Sequence, residues 1–385
     1  MISGYSKPEF RNFALATASN FFFYCNFSSF FLLPLYIKSL GGDDAHIGYI
    51  MGTFGITSLG AIPFVTFLVD KHGRRRFMLL GYLLMFVASL SYLFVGELSP
   101  FIYLLRLVQG VSFAFSFTAA GTFVADYVPS VSRAQGLGIF SAFTIAAYAI
   151  GPSLGEFVIQ LSGYHNFFLY SSFFSLVSFA LAVFMKDGNF IPSRDPYGFR
   201  FFRLISSRKY SLVLLSNLVM AGGLGAVLNF IATFFRSKGL QAYYFFLTYT
   251  ITVTAIRIFG GRLSDRWGRK AVASPAIFIV SLSLACMYFA DSALSAVAIS
   301  FLFSFGYGSL YPTLSALVID KAGEDERGKA MGAFNASYSM GINFLAFPFG
   351  IIARDYGYEV MYLTAGCLVF TGFLLYTFFE RESVS

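Results

Sequence analysis

Charge is scarce in this chain of 385 residues: Asp, Glu, Lys and Arg together make up 12% of it, about half the share usual in a soluble globular domain. Histidine is scarcer still, with His46, His72 and His165 far apart. The three cysteines, Cys25, Cys286 and Cys367, lie inside apolar segments without paired spacing, so they read as packing residues, neither disulfides nor metal ligands. The sequence has no Gly-rich phosphate loop ending in Lys-Ser or Lys-Thr, and no His/Cys spacing suited to a metal. Enzyme chemistry therefore has no support, and neither a cofactor nor a metal is expected.

Apolar residues are plentiful instead. Hydrophobic residues reach 57%, including 51 Phe and 24 Tyr, and the mean hydropathy is +0.69. Apolar runs of twenty or more residues recur throughout, each long enough to cross a hydrocarbon core of about 30 Å as a helix. Twelve spans are predicted, at roughly 12–37, 46–69, 77–96, 100–128, 134–161 and 165–186, then 210–235, 241–264, 271–290, 293–319, 328–353 and 358–379. The first run is too long for a cleavable signal peptide. An all-α, multi-pass membrane protein is expected, with lipid as its surroundings and short loops that leave no room for a catalytic domain.

The net charge of +8 does not point to nucleic acid, because the cations form no continuous basic face. They mark orientation. The two ends, Lys186 with the stretch 187–209, and the loops after spans 2, 4, 8 and 10 hold 21 of the 27 Lys and Arg. The opposite loops hold four: Lys38, Arg236, Lys238 and Arg354. Positive loops stay inside, which places both termini and the linker in the cytoplasm. Residues 1–186 and 210–385 read as two bundles of six helices joined by a polar linker at 187–209.

The halves repeat. Asp70-Lys-His-Gly-Arg-Arg-Arg76 is answered by Asp265-Arg-Trp-Gly-Arg-Lys270, with Asp265 195 residues after Asp70. Phe123–Ala142 aligns without gaps on Leu317–Ala336, with six of twenty positions identical, Asp126/Asp320 and Arg133/Arg327 among them. An Asp and an Arg keeping one register are not a product of apolar composition.

Between spans 8 and 9 the chain reads Gly261-Arg-Leu-Ser-Asp-Arg-Trp-Gly-Arg-Lys270, five of its ten residues charged. This run closely resembles the loop signature of the major facilitator superfamily of transporters, and with the internal repeat the resemblance covers essentially the whole chain. The first copy departs from the pattern at Thr66, where the family has Gly. The resemblance implies two pseudo-symmetric six-helix bundles, a solute site at their interface near mid-membrane, and a carrier that generally works as a monomer. It also implies charge clusters that lock the cytoplasmic side: Asp70, Arg74, Asp126 and Arg133 in one half, Asp265, Arg269, Asp320 and Arg327 in the other. The alternative is that these ions only solvate helix ends.

Further motifs lie within the spans. Arg106-Leu-Val-Gln-Gly110 resembles a motif of proton-coupled members, and Gly151-Pro152-Ser-Leu-Gly155 resembles one characteristic of exporters, where Pro bends the helix and Gly admits a close neighbour. An ionisable residue inside a span is a functional hypothesis by default. Arg106 and Glu156 fall at similar depth on antiparallel spans 4 and 5, so an ion pair switched by a proton is one reading and a Glu156 that snorkels to the outer surface is the other. Arg257 in span 8 has no acidic residue at matching depth, and so reaches the cytoplasm, faces a wet cavity or meets an anionic solute. Spans 1, 4, 7 and 10 line the cavity in the resembled family. Their polar and aromatic residues, Tyr24, Asn26, Gln109, Phe113, Asn217, Asn229, Tyr307 and Tyr311, together with Arg257, are candidate solute contacts, although each also suits helix packing. Span 1 lacks the carboxylate many cation-drug exporters use.

The sequence thus reads as a secondary transporter for a small amphipathic or lipophilic solute, working by proton-linked efflux in the cytoplasmic membrane. The alternatives are an organic-anion carrier using Arg106 and Arg257 and, in a different class, a transporter-like receptor or a lipid translocase.

Overall fold

The computed structural model describes residues 7–129, 133–186, 208–259, 263–322 and 326–379, and among them there is helix, turn and bend but no strand. Lipid offers no partner for a backbone N–H or C=O, so an apolar chain satisfies these groups internally, as helices do. In order the α-helices are α1 (Lys7–Ser29), α2 (Leu33–Ser39), α3 (Asp44–His72), α4 (Arg74–Ser91), α5 (Pro100–Tyr127), α6 (Arg133–Val183), α7 (Arg208–Ser237), α8 (Tyr243–Phe259), α9 (Leu263–Trp267), α10 (Arg269–Cys286), α11 (Ala293–Lys321), α12 (Arg327–Phe344), α13 (Ala346–Tyr356) and α14 (Tyr358–Phe379).

Ten stretches among the described residues are long and apolar enough to cross a membrane. Two details reconcile them with the twelve spans expected. The stretch Gln135–Val183 has 49 residues, about 74 Å of helix and more than twice a hydrocarbon core. It breaks at Gly163 (φ 79°, ψ −177°), which divides it into spans 5 and 6. Span 8 is carried by α8, of 17 residues, and α9 follows it in the sequence. Two spans expected as single helices are stepped instead. Span 1 passes through a 3-10 turn at Phe30–Leu32, where the Pro34 ring opposes the carbonyl four residues before it, that of Phe30. In the same way α12 ends at Phe344, four residues before Pro348.

The repeat seen in the sequence recurs in the backbone. Among the described residues six glycines have positive φ: Gly41, Gly73, Gly163, Gly239, Gly268 and Gly357. They form three pairs at the repeat distance: 239 − 41 = 198, 268 − 73 = 195 and 357 − 163 = 194. Gly73 (φ 95°, ψ 162°) and Gly268 (φ 91°, ψ 151°) each immediately precede a helix of 18 residues, α4 and α10. That backbone region is essentially closed to residues with a Cβ.

The chain divides into two compact units, Met1–Tyr36 with Ile56–Pro196 and Ile37–Gly55 with Tyr197–Ser385. In unit 1, α1 packs on the first half of α6 at a glycine. A Cβ on Gly151 would overlap Ser28 Oγ and the Cys25 carbonyl. In unit 2, α7 and α12 meet the same way: a Cβ on Gly341 would overlap the Leu218 carbonyl. Where lipid supplies no hydrophobic driving force, such close approach is what holds helices together. The first turns of α3 belong to unit 2, where Asp44 accepts a hydrogen bond from the Tyr358 hydroxyl and pairs with Lys38 at 2.8 Å.

Candidate functional site

Unit 1 holds two ionisable residues of the spans away from water. Arg106, two turns into α5, is 5% exposed and donates from Nη1 to Gln109 Oε1 at 3.1 Å. The i, i+3 spacing puts both side chains on one face of α5, and Gln109 is itself buried. On α6 Glu156 is 2% exposed, so it does not snorkel to the surface. Neighbouring Gly155 is closely covered, a Cβ there falling 2.9 Å from the Phe167 ring.

Tyr24 and Phe113 belong to an aromatic cluster on the same unit. Their rings lie 6.1 Å apart, and Phe27 stacks obliquely against Phe113 at 4.8 Å while Tyr148 of α6 stands 6.1 Å from Tyr24. Tyr24 is buried and Phe113 half-buried. The cluster presents ring surface with few polar atoms.

In unit 2 the structure brings together Arg257, Tyr307 and Tyr311. The Arg257 guanidinium lies over the Tyr311 ring, 5.9 Å from its centre. The Tyr311 hydroxyl donates to Asn335 Oδ1 at 3.0 Å, and the Tyr307 hydroxyl donates to Tyr338 Oη at 2.5 Å. The Tyr311 and Tyr338 rings meet edge to face at 5.2 Å, and Tyr249 of α8 lies 6.1 Å from Tyr307. Helix geometry shows which face of α8 this is. Phe246, Thr250, Val253 and Arg257 share one stripe by i, i+4, i+7, i+11 spacing, and the first three are buried. The apolar stripe suited to lipid is the neighbouring one, with Leu247, Ile251 and Ile258 exposed. Arg257 is exposed on the stripe that is otherwise covered, so its charge stands apart from the exposed apolar stripe.

The three asparagines are tied to neighbouring helices. Asn26 donates to Ser89 Oγ at 2.9 Å and to the Ser171 carbonyl at 2.6 Å, joining three spans of unit 1. Asn217 donates to the Phe334 carbonyl and to Ser337 Oγ, each at 2.8 Å, and Asn229 donates to the Ile342 carbonyl at 3.3 Å. Both fasten α7 to α12. Interhelical amide bonds of this kind are ordinary membrane packing, which is why amide residues in spans were ambiguous from sequence.

The loop motifs form matched ion pairs, one in each unit. Arg74 Nε lies 3.0 Å from Asp126 Oδ2, and Arg269 Nε lies 2.9 Å from Asp320 Oδ2. Arg269 also donates to Ser264 Oγ at 2.8 Å. Asp70 is half-buried and Arg327 exposed. Gly261, the side chains of Arg133 and Asp265, and the linker residues 187–207 lie outside the described residues. Pro152 sits within α6, between the closely packed Gly151 and Gly155.

Sequence reasoning missed Tyr249, Asn335 and Tyr338. Tyr249 lies two turns before Arg257 on the same helix, a spacing that would have revealed it. Asn335 and Tyr338 belong to span 11, which nothing in the sequence ties to Arg257.

The family model of the Major Facilitator Superfamily matches residues 14–342 and 210–385 of this chain. An uncharacterised MFS-type transporter of Methanocaldococcus jannaschii is 24% identical over 362 residues, which are 91% of this chain and 93% of that protein. Multidrug resistance protein 2 of Bacillus subtilis is 24% identical over 356 residues, 89% of this chain and 88% of that protein. Among solved structures, the nucleoside transporter NupG aligns with a TM-score of 0.82 at 15% identity, over 96% of this chain and 100% of that one, a likeness of fold.

Proposed function

Because this chain belongs to the major facilitator superfamily of transporters, we propose that it is a secondary carrier that exports a small amphipathic or lipophilic solute by alternating access, coupled to inward movement of protons. The observation that carries this reading is the burial of Arg106 and Glu156 in one membrane-length bundle. Keeping an ionisable group there costs roughly 2.5–3.5 kcal/mol at mid-bilayer, a cost that a packing role does not require. A carboxylate so placed exchanges its proton only when the bundle admits water. The tight seat of Gly151 and Gly155 around Pro152 supports a bend in α6, and similarity to a multidrug resistance protein supports export. In this reading residues 1–186 and 210–385 are the two bundles, 187–209 is a cytoplasmic linker, both termini are cytoplasmic, and the carrier acts as a monomer.

A second reading, an organic-anion carrier, is favoured by one observation: Arg257 is exposed over Tyr311 beside a group of tyrosine hydroxyls. It rests on Arg257 alone, because Arg106 is buried against Gln109 in the other unit.

Flux into proteoliposomes tests both against other classes of function. The probes are anilinonaphthalene sulfonate, as an amphipathic aromatic anion, and an uncharged lipophilic dye. A carrier moves at least one probe faster than protein-free vesicles do. A receptor binds without moving it, and a lipid translocase instead equilibrates labelled lipid between leaflets.

A further inference from the structure

We infer that unit 1 carries a binding site for the headgroup of an anionic glycerophospholipid, where spans 1, 3 and 6 end together. A groove of about 610 Å³ there is lined by Arg11, Arg75, Val183, Phe184, Met185 and Lys186. Its three cations come from three different helical segments: Arg11 from the first turns of α1, Arg75 from the start of α4 and Lys186 from just beyond α6. Among the described residues the lining holds no carboxylate. Gathering like charges in one recess is unfavourable unless an anion fills it.

The recess is built from named bonds. Arg75 donates from Nη2 to the Val183 carbonyl at 2.6 Å and from Nε to the Ala182 carbonyl at 3.4 Å, fixing the end of α6. The backbone of Lys186 is held three times. Its carbonyl accepts from Asn12 Nδ2 at 3.1 Å and from the Tyr127 hydroxyl at 2.6 Å, and its N–H donates to Asn12 Oδ1 at 3.2 Å. Arg11 and Lys186 themselves are exposed, so their charges are offered outward from a fixed frame.

The surroundings select a lipid over a free phosphate. Phe184 is 67% exposed, and Val183 and Phe10 are also exposed. This apolar surface beside three cations suits a phosphodiester with acyl chains attached, and basic recesses between helices on the cytoplasmic side are where such headgroups bind. The inference rests on the proposed orientation, which puts this end of unit 1 in the anionic leaflet. It does not depend on the transported solute, since none of the lining residues belongs to the transport site.

Native mass spectrometry of the full chain, titrated with phosphatidylglycerol and in parallel with phosphatidylcholine, reads the site directly. The wild-type chain is expected to retain phosphatidylglycerol preferentially. Removing two charges in Arg11→Gln/Lys186→Gln is expected to weaken that retention about 30-fold, or about fivefold per cation, and to leave phosphatidylcholine unchanged. The charge-keeping variant Arg11→Lys/Lys186→Arg is expected to bind as wild type. Arg75 is left intact because its bonds hold α6. If the double variant is not monodisperse, Lys186→Gln alone carries the test, with a fivefold loss expected. Equal retention of both lipids by wild type, unaltered retention by the Gln variants, or displacement of the lipid by millimolar inorganic phosphate would each overturn the proposal. A failure here leaves solute flux intact, so it is distinguishable from failure of the carrier reading.

Discussion

The Arg257 guanidinium rests 5.9 Å from the centre of the Tyr311 ring, and the Tyr311 hydroxyl donates in turn to Asn335. A cation placed over an aromatic face is held by about 0.5–2 kcal/mol, and here Arg257 stays exposed at its turn of α8. If the solute carries an acidic group, Arg257→Ala removes the counter-charge and lowers flux of anilinonaphthalene sulfonate at least tenfold, with the unfolding temperature unchanged. Arg257→Lys keeps the charge but loses the planar fork, and falls between the two. Equal flux of the anion in all three proteins would remove Arg257 from solute recognition.

The matched pairs Arg74–Asp126 and Arg269–Asp320 are partly exposed, so each contributes at most about 1 kcal/mol to stability. As latches they act on conformational balance instead. Asp320→Asn is expected to move the unfolding temperature by no more than a few degrees, while a cysteine introduced on the cytoplasmic side becomes labelled faster and transport slows. Unaltered labelling and transport would reduce these ions to solvated helix ends.

Glu156 is buried, and its neutral isostere removes the titrating proton while keeping the shape. Glu156→Gln is expected to flatten the dependence of transport on external pH, with solute binding retained by thermal shift. A pH profile identical to wild type would show that coupling lies elsewhere.

The paired glycines yield a prediction about stability. Gly163 and Gly357 occupy the same repeat position with φ of 79° and 89°. Alanine at either is expected to cost about 1–3 kcal/mol. Gly60, helical and with open space where a Cβ would stand, is the control, since alanine there is expected to be neutral or to stabilise by up to about 1 kcal/mol. Thermal unfolding in detergent distinguishes them.

Much of the fold was legible because lipid permits few structures: a run of apolar residues above a threshold length becomes a helix. The repeat was legible because Asp126/Asp320 and Arg133/Arg327 keep one register and the two Gly-Arg turns recur within one residue of it. The steps at Phe30 and Phe344 follow from Pro34 and Pro348 once the carbonyl four residues back is considered. The site was harder to read. Asn26, Asn217 and Asn229 had the composition of solute contacts, but composition does not say whether an amide faces a neighbouring carbonyl or a cavity, and all three bond to adjacent helices. Tyr338 meets the Tyr311 ring edge to face from α12, which begins at Arg327, 16 residues further along the chain, a meeting made by tertiary packing alone. The groove around Arg11, Arg75 and Lys186 was hidden for the same reason, since each cation alone reads as an orientation signal.

The central claim is that this chain moves a solute against its gradient at the expense of protons. Its most direct test takes the solute that most raises the unfolding temperature of the purified protein and follows it in proteoliposomes under an imposed pH gradient. The account predicts accumulation above the equilibrium level, accompanied by proton counterflow and abolished by a protonophore. A solute that binds and stabilises the protein, yet equilibrates no faster than in protein-free vesicles with or without the gradient, would contradict it.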